Sequence, residues 1–285
     1  MTDNPPLVWL VTGCSTGFGR NIAEHLLDNG QKVVVTARKT DKVADLAKRG
    51  DALILPLDVG HRSQCFDVVR EAEEHFGRID VLINNAGIGF FAAIEETDEE
   101  QARNLFEINF FGAANAIHAV LPGMRQRRSG FIVNLTSIGG LSGFAAVGYY
   151  TASKFALEGL SDTLRLEVEP LGLKVMTVEP SGFRTEWAGS SNETSTPIAD
   201  YDQTAGAARL AYHASVGTQA GDPRRAAAAI FKAVTADRPP HHLLLGNEAF
   251  DVATAKLEEL RADFLAWEAV TRGADFPPNE QTSAA

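Results

Sequence analysis

Within "VGYYTASKF", residues 147–155, Tyr150 and Lys154 stand four apart, the spacing that puts two side chains on one face of a helix. Tyr149 pairs in the same way with Ser153, so Tyr150 is the phenol that shares a cleft with an ammonium. A free phenol ionises near pH ~10, and a neighbouring cation favours phenolate; a drop of about two or three units would suit proton transfer. A Tyr-x-x-x-Lys pair alone is common in structural helices, so its company decides. Ser137 ends "VNLTS" thirteen residues before Tyr150, close enough for its hydroxyl to share a substrate oxygen with the phenol. Upstream, "FEINFFG" carries Asn109 inside a long predicted helix, among Ile108, Phe110 and Phe111. A polar residue buried there must find hydrogen-bond partners.

A second group of residues is suited to anions. "TGCSTGFG", Thr12 to Gly19, directly follows an apolar run and opens a helical one. Glycines there let the backbone turn sharply and approach a pyrophosphate, while a helix starting near Gly17 aims free N–H groups and its positive end at the charge. The spacing is Gly-x-x-x-Gly-x-Gly, and the predicted dinucleotide contacts are Gly13, Ser15, Thr16, Gly17, Phe18 and Gly19. About twenty residues on, a site for NAD wants a carboxylate on the ribose hydroxyl, whereas a 2′-phosphate wants cations. Here "TARK" has Ala37 in the acid's place, with Arg38 and Lys39 after it, which predicts NADP. Asp58 and Val59 in "LDV" stand where an adenine could lie. The "NNAG" tip contributes Asn85, Ala86 and Gly87, and "VEPSGFRTEW" contributes Pro180, Gly182 and Thr185 near the nicotinamide.

These residues need a frame that brings loop ends together. Short β-branched apolar runs at 7–12, 32–37, 52–57, 80–84, 131–136, 174–179 and 242–246 alternate with helical periods. That alternation predicts an α/β fold, a Rossmann-type doubly wound sheet of about seven parallel strands with helices on both faces. Helices are expected to begin near Gly17, Asp41, Arg62, Asp98, Tyr149 and Thr185. Residues 1–276 read as a single domain, 186–221 as a cover over a pocket, and 277–285 as a disordered polar tail. "AKLEELRADFLAWEAV" has the spacing of a helix that covers core, with an oligomer contact as its other use.

A net charge of -11 argues against nucleic acid or an anionic membrane as the main partner. No window reaches the ~18 apolar residues of a membrane helix, and no signal-peptide pattern opens the chain, so a cytoplasmic location is expected. Cys14 and Cys65 lack disulfide or metal-knuckle spacing, and His241 and His242 have no further ligand in sequence register, so no metal is expected. Cys14 reads as a small buried filler. Phe90, Phe91, Phe144, Val147, Trp187 and Tyr201 could form an apolar lining, with Phe90, Phe144, Trp187 and Ser137 as the substrate contacts.

Together these elements resemble the short-chain dehydrogenase/reductase family in its compact single-domain form. The likeness runs from the glycine loop to the seventh strand, through Thr-Gly-x-x-x-Gly-x-Gly, Asn-Asn-Ala-Gly, the Asn109, Ser137, Tyr150, Lys154 tetrad and the Pro180 to Thr185 element. Ser181 stands where the family usually has Gly. The resemblance implies Tyr150 as general acid/base and Ser137 as the group polarising the substrate oxygen. Lys154 would tune the phenol and bind the nicotinamide ribose, and Asn109 would anchor a water in a proton relay. Ala37 with Arg38 resembles the NADP-preferring members, including the steroid and retinol dehydrogenase branch. The implied reaction is hydride transfer between nicotinamide and a carbonyl or alcohol carbon of a fairly hydrophobic small molecule, with a homo-oligomer, dimer or tetramer, as a further implication. Two other readings stand beside it: a non-catalytic NADP-binding regulator on the same fold, and a sugar-nucleotide epimerase or dehydratase.

Overall fold

The computed structural model describes residues 5–276, so the predicted tail at 277–285 lies outside the described residues. Its main sheet uses seven parallel strands: β1 (Val8–Val11), β2 (Lys32–Ala37), β3 (Ala52–Pro56), β4 (Val81–Asn84), β6 (Gly130–Leu135), β7 (Leu173–Pro180) and β9 (His242–Leu245). Two-residue strands β5 (Phe90–Phe91) and β8 (Asn192–Glu193) pair separately, an element the apolar pattern was too short to announce. The main order is β3–β2–β1–β4–β6–β7–β9. The chain therefore builds outward from β1, then returns to its other side at β4. The crevice beyond the strand ends at that reversal is where open α/β sheets bind ligands.

Period-two alternation explains why both faces are dry. Trp9, Val11, Val33, Val35, Val81, Ile83, Val133 and Met176 share one core with α1 (Gly17–Asp28). Leu10, Val34, Leu82, Ile132 and Val175 point the other way, against α2 (Arg62–Phe76). Next come α3 (Glu99–Phe106), α4 (Gly112–Arg127), α5 (Gly148–Val168), α6 (Trp187–Ser190), α7 (Ala207–Ala214), α8 (Pro223–Val234), α9 (Asn247–Ala266) and α10 (Glu268–Arg272). Of these, α8 joins the first core, and α4 and α5 the second. Each core leucine sealed in this way contributes roughly 1.5–3 kcal/mol.

Several expectations need correction. The helix expected near Asp41 is a 3-10 succession, Thr40–Lys48, which buries only Val43 and Leu46. The helix expected at Thr185 lasts four residues. The long one on that side, α8, begins at Pro223, where the Asp222 carboxylate caps the Arg224 N–H at 2.8 Å. Asn109 sits in a π-turn, Glu107–Phe111, between α3 and α4, not within a regular helix. At its start α9 packs Ala249 and Ala253 against Ile138, but Leu257, Phe264 and Leu265 face outward and no residue of 255–270 is buried, so the stretch expected to cover core does not. No helix among the described residues is long and apolar enough to cross a membrane.

Candidate active site

The glycine loop leaves β1 and is held from two sides. The Cys14 N–H donates to Thr36 O at 2.8 Å, tying it to β2. Asn85 Nδ2 donates to Thr12 O and Gly13 O at 2.8 and 3.0 Å, while the Asn85 and Ala86 N–H groups both bond the Thr12 hydroxyl. Gly13 takes φ +72°, a left-handed backbone, and a Cβ there would press within 3.0 Å of Ala86 Cα. A Cβ on Gly19 would run into the Gly13 carbonyl and Asn85 Nδ2. Thr16 is the N-cap of α1, yet its side chain makes no cap bond, which leaves the first-turn N–H groups of Gly17, Phe18 and Gly19 open to an anion, beside Ser15. This cradle has the shape and donor set for a pyrophosphate. Gly19→Ala should weaken dinucleotide binding at least tenfold, about 1.4 kcal/mol. Fluorescence titration of NADPH measures that loss, and urea unfolding should register an overpacking cost of ~1–3 kcal/mol.

Arg38 and Lys39 are exposed at the tip of β2 and make no ion pair among the described residues. Asp58 turns its carboxylate onto the Gly60 N–H at 3.1 Å. Val59 is buried against Gly112, so it offers little surface to an adenine. Phe18 packs on Phe183, ring centroids 5.0 Å apart. Thr185 lies against Gly17, Gly182 accepts from the Gly221 N–H, and Pro180 ends β7. Ser181 fits without strain: among the described non-glycine residues only Arg128 and Ala146 have left-handed backbone, and the Ser181 hydroxyl donates to Leu245 O. Cys14 is buried, its thiol pushed up to about 12 by burial, as a filler should be.

Tyr150, Lys154 and Ser137 converge below this rim. Lys154 is 5% exposed; its Nζ donates to Leu135 O at 2.8 Å and lies 5.7 Å from the Tyr150 ring centre. A Cβ on Gly87 would sit 3.7 Å from that nitrogen and 3.2 Å from Asn109 Oδ1, so the "NNAG" tip reaches the same spot. Asn109 accepts from the Ile88 N–H and donates to Ile88 O and Ser153 Oγ. Its amide is fully engaged in tying the π-turn to α5, which fixes the helix that carries Tyr150.

Among the chain's own groups, burial outweighs the pull expected of Lys154 on the phenol. Burial pushes Tyr150 up to about 12; the Ser137 hydroxyl pulls it down, and the Tyr212 phenol pushes it further up. Lys154 does not reverse this; its Nζ is turned to Leu135 O. Burial also lowers Lys154 to about 8, against a smaller upward pull from Glu158. A depressed lysine holds fewer protons folded than unfolded, so its contribution to stability rises as pH climbs from about 8 towards 10.5. Buried Cys14 titrates the opposite way over part of that range, so urea unfolding should show the lysine as a difference: from pH 8 to 10.5 the native chain should gain on Lys154→Met by an amount on the order of 3 kcal/mol. An equal slope in the variant would contradict the assignment.

Above the phenol lies an aromatic wall. Trp187, on α6, sits 4.9 Å from the Tyr150 ring and 5.5 Å from Phe91, and a Cβ on Gly89 would meet it at 2.6 Å. Tyr212, from α7, stacks on Phe91 at 5.1 Å. Phe144 packs in the same cluster. Phe90, expected as a substrate contact, faces the other side of its strand from Phe91, with Ala92 and Leu105, in a cluster against which Tyr150 also packs. Tyr201 is also apart, its hydroxyl donating to Glu95 at 2.6 Å. Sequence reasoning missed Tyr212; the i, i+4 pair Ala208 and Tyr212 in "AARLAYHA" was the available signal.

Comparison with known proteins agrees with this geometry. The profile described as short chain dehydrogenase matches residues 7–196. Oxidoreductase BOA17 of Botryotinia fuckeliana is 37% identical over 263 residues, covering 91% of this chain and 96% of the relative. The 3-ketodihydrosphingosine reductase of Bacteroides thetaiotaomicron is 37% identical over 242 residues, covering 85% and 88%. A crystal structure of a short-chain dehydrogenase from Streptomyces avermitilis superposes with a TM-score of 0.88 at 43% identity, covering 95% of this chain and 100% of that one. With its glycine cradle, Ser-Tyr-Lys convergence and doubly wound sheet, the chain belongs to the short chain dehydrogenase family of oxidoreductases.

Proposed function

We propose that this protein is an NADP-dependent oxidoreductase acting on the carbonyl or secondary alcohol of a fairly hydrophobic small molecule. The observation that carries the reading is the meeting of Gly87, Asn109 and Lys154 at one point, a turn of helix from Tyr150 and within the same crevice as the glycine loop. Bound, the dinucleotide supplies or accepts the hydride. The chain's own groups then do the rest. The first-turn N–H groups of α1, with Gly13, Ser15, Thr16, Gly17, Phe18 and Gly19, hold the pyrophosphate; Arg38 and Lys39 hold the 2′-phosphate; Asp58, Asn85, Ala86, Gly87, Pro180, Gly182 and Thr185 border the remainder. Val59 borders it only marginally.

Ser137 orients and polarises the substrate oxygen, and Tyr150 exchanges its proton with that oxygen. Tyr150, protonated at neutrality as an ordinary phenol also is, donates to the forming alkoxide in reduction and takes the proton back in oxidation; because cells keep NADPH largely reduced, carbonyl reduction is the preferred direction. Lys154, still mostly charged at neutral pH, stabilises the phenolate left behind and binds the ribose. Asn109 is a positioning residue through Ser153. The apolar wall of Trp187, Phe91, Phe144 and Tyr212 favours an apolar ketone or aldehyde, in line with the relative named for reducing 3-ketodihydrosphingosine. The outward apolar residues of α9 and of α5, Phe155 and Leu166, support a homo-oligomer.

NADPH oxidation followed by absorbance with a panel of ketones, aldehydes, steroids and retinoids tests the reading. Turnover of apolar carbonyls is expected, and Trp187→Ala should lower KM for the bulkier ones at least threefold by clearing space beside Tyr150. Tight NADPH binding with a silent panel would favour a regulator instead.

A further inference from the structure

The buried face of α5 does not end at Lys154. One turn on, Glu158 is 7% exposed, and it meets Glu179 from β7, 0% exposed, and His242 from β9, 45% exposed. His242 Nδ1 lies 2.9 Å from Glu179 Oε1 and 3.8 Å from Glu158 Oε2, and one ligand atom from each residue falls within 4.8 Å of the others. Among the described residues, neither Glu158 oxygen has a hydrogen-bond partner, nor has Glu179 Oε2. Two buried carboxylates with three unpartnered oxygens carry a high desolvation cost, for which one half-exposed imidazole and the Thr177 hydroxyl, which bonds Glu179 Oε1 and lies 3.0 Å from His242 Nδ1, are a poor remedy. The sequence shows no further ligand in register with His242; Glu158 and Glu179 come to it from other elements.

We propose that Glu158, Glu179 and His242 form a binding site for one divalent first-row cation of the zinc type. The donor set is two carboxylate oxygens and one imidazole nitrogen, which suits zinc better than magnesium or calcium. Ligand atoms of a tetrahedral zinc stand about 3.3 Å apart, and the present separations need only small side-chain shifts to reach that. Asp162 Oδ1 lies 3.9 Å from His242 Nε2, where it can orient the ring from outside, as carboxylates do for zinc-bound histidines. The exposed edge of His242 gives an entry path and leaves a fourth position for water. The cation would clamp α5 to β7 and β9, behind the catalytic helix, and this assignment is independent of the proposed reaction.

The test uses the untagged full chain, stripped with EDTA and dialysed. Calorimetric titration with Zn²⁺ should give one saturable equivalent, and Co²⁺ should give the visible absorption of a tetrahedral N/O site. The melting temperature should rise with Zn²⁺. Glu158→Gln and His242→Asn, both close in shape to the native residues, should each weaken binding at least tenfold and remove the thermal shift. No stoichiometric uptake by the folded native chain would overturn the proposal, leaving a cluster that shares protons only. So would uptake that both variants retain, which would assign the ion to other histidines.

Discussion

Tyr150→Phe should cut turnover roughly 10²–10⁴-fold, the span of general acid/base catalysis, with NADPH affinity nearly unchanged. The hydroxyl is the only atom lost. The ring keeps its contact with Trp187 and its place in the aromatic cluster, so the fold should hold. Ser137 would still hold a carbonyl oxygen, but with no proton to give, the growing negative charge has no relief. Steady-state kinetics beside a fluorescence titration of NADPH separates the two effects. Retained turnover would remove Tyr150 from the mechanism, and lost affinity would mean that the substitution disturbed the cradle.

The second large effect concerns the choice of dinucleotide. Arg38→Ala should weaken NADP(H) by roughly 1.5–3 kcal/mol, the worth of hydrogen bonds to a charged group, and leave NAD(H) nearly untouched. Arg38 is exposed and free of ion pairs among the described residues, so no internal partner competes for its guanidinium. Exposure also makes the effect salt-dependent, shrinking as screening sets in. Parallel titrations of the two dinucleotides at low and moderate salt measure it. Equal losses for both would contradict the 2′-phosphate assignment.

Much of this was legible before any coordinates. The β-branched runs gave all seven strands of the main sheet within a residue or two, because a strand buried on both faces has a long apolar signature. The glycine spacing and Tyr150-x-x-x-Lys154 were equally local, set by one turn of backbone or of helix. What escaped was set by distance in sequence. Glu158, Glu179 and His242 come from three elements, and only the β7–β9 pairing together with α5 brings them together. Tyr212 belongs to a segment, 186–221, built of short pieces with no clean period. The direction of the Tyr150 shift also could not be read, because helical spacing reveals a neighbouring charge but not how deeply both groups are buried. For α9 the apolar spacing was real; whether such a stripe meets core or faces outward depends on what the rest of the chain has already covered.

The central claim is that hydride passes to a substrate carbon held against Tyr150. Single-turnover reduction of a panel carbonyl with NADPH deuterated at the transferable C4 position tests it most directly, read by mass spectrometry of the product. One deuterium on the carbinol carbon is expected with the native chain, and at least a hundredfold less label over the same interval with Tyr150→Phe. Tight binding of the labelled dinucleotide with no deuterium in any product, or undiminished transfer in the variant, would contradict the account.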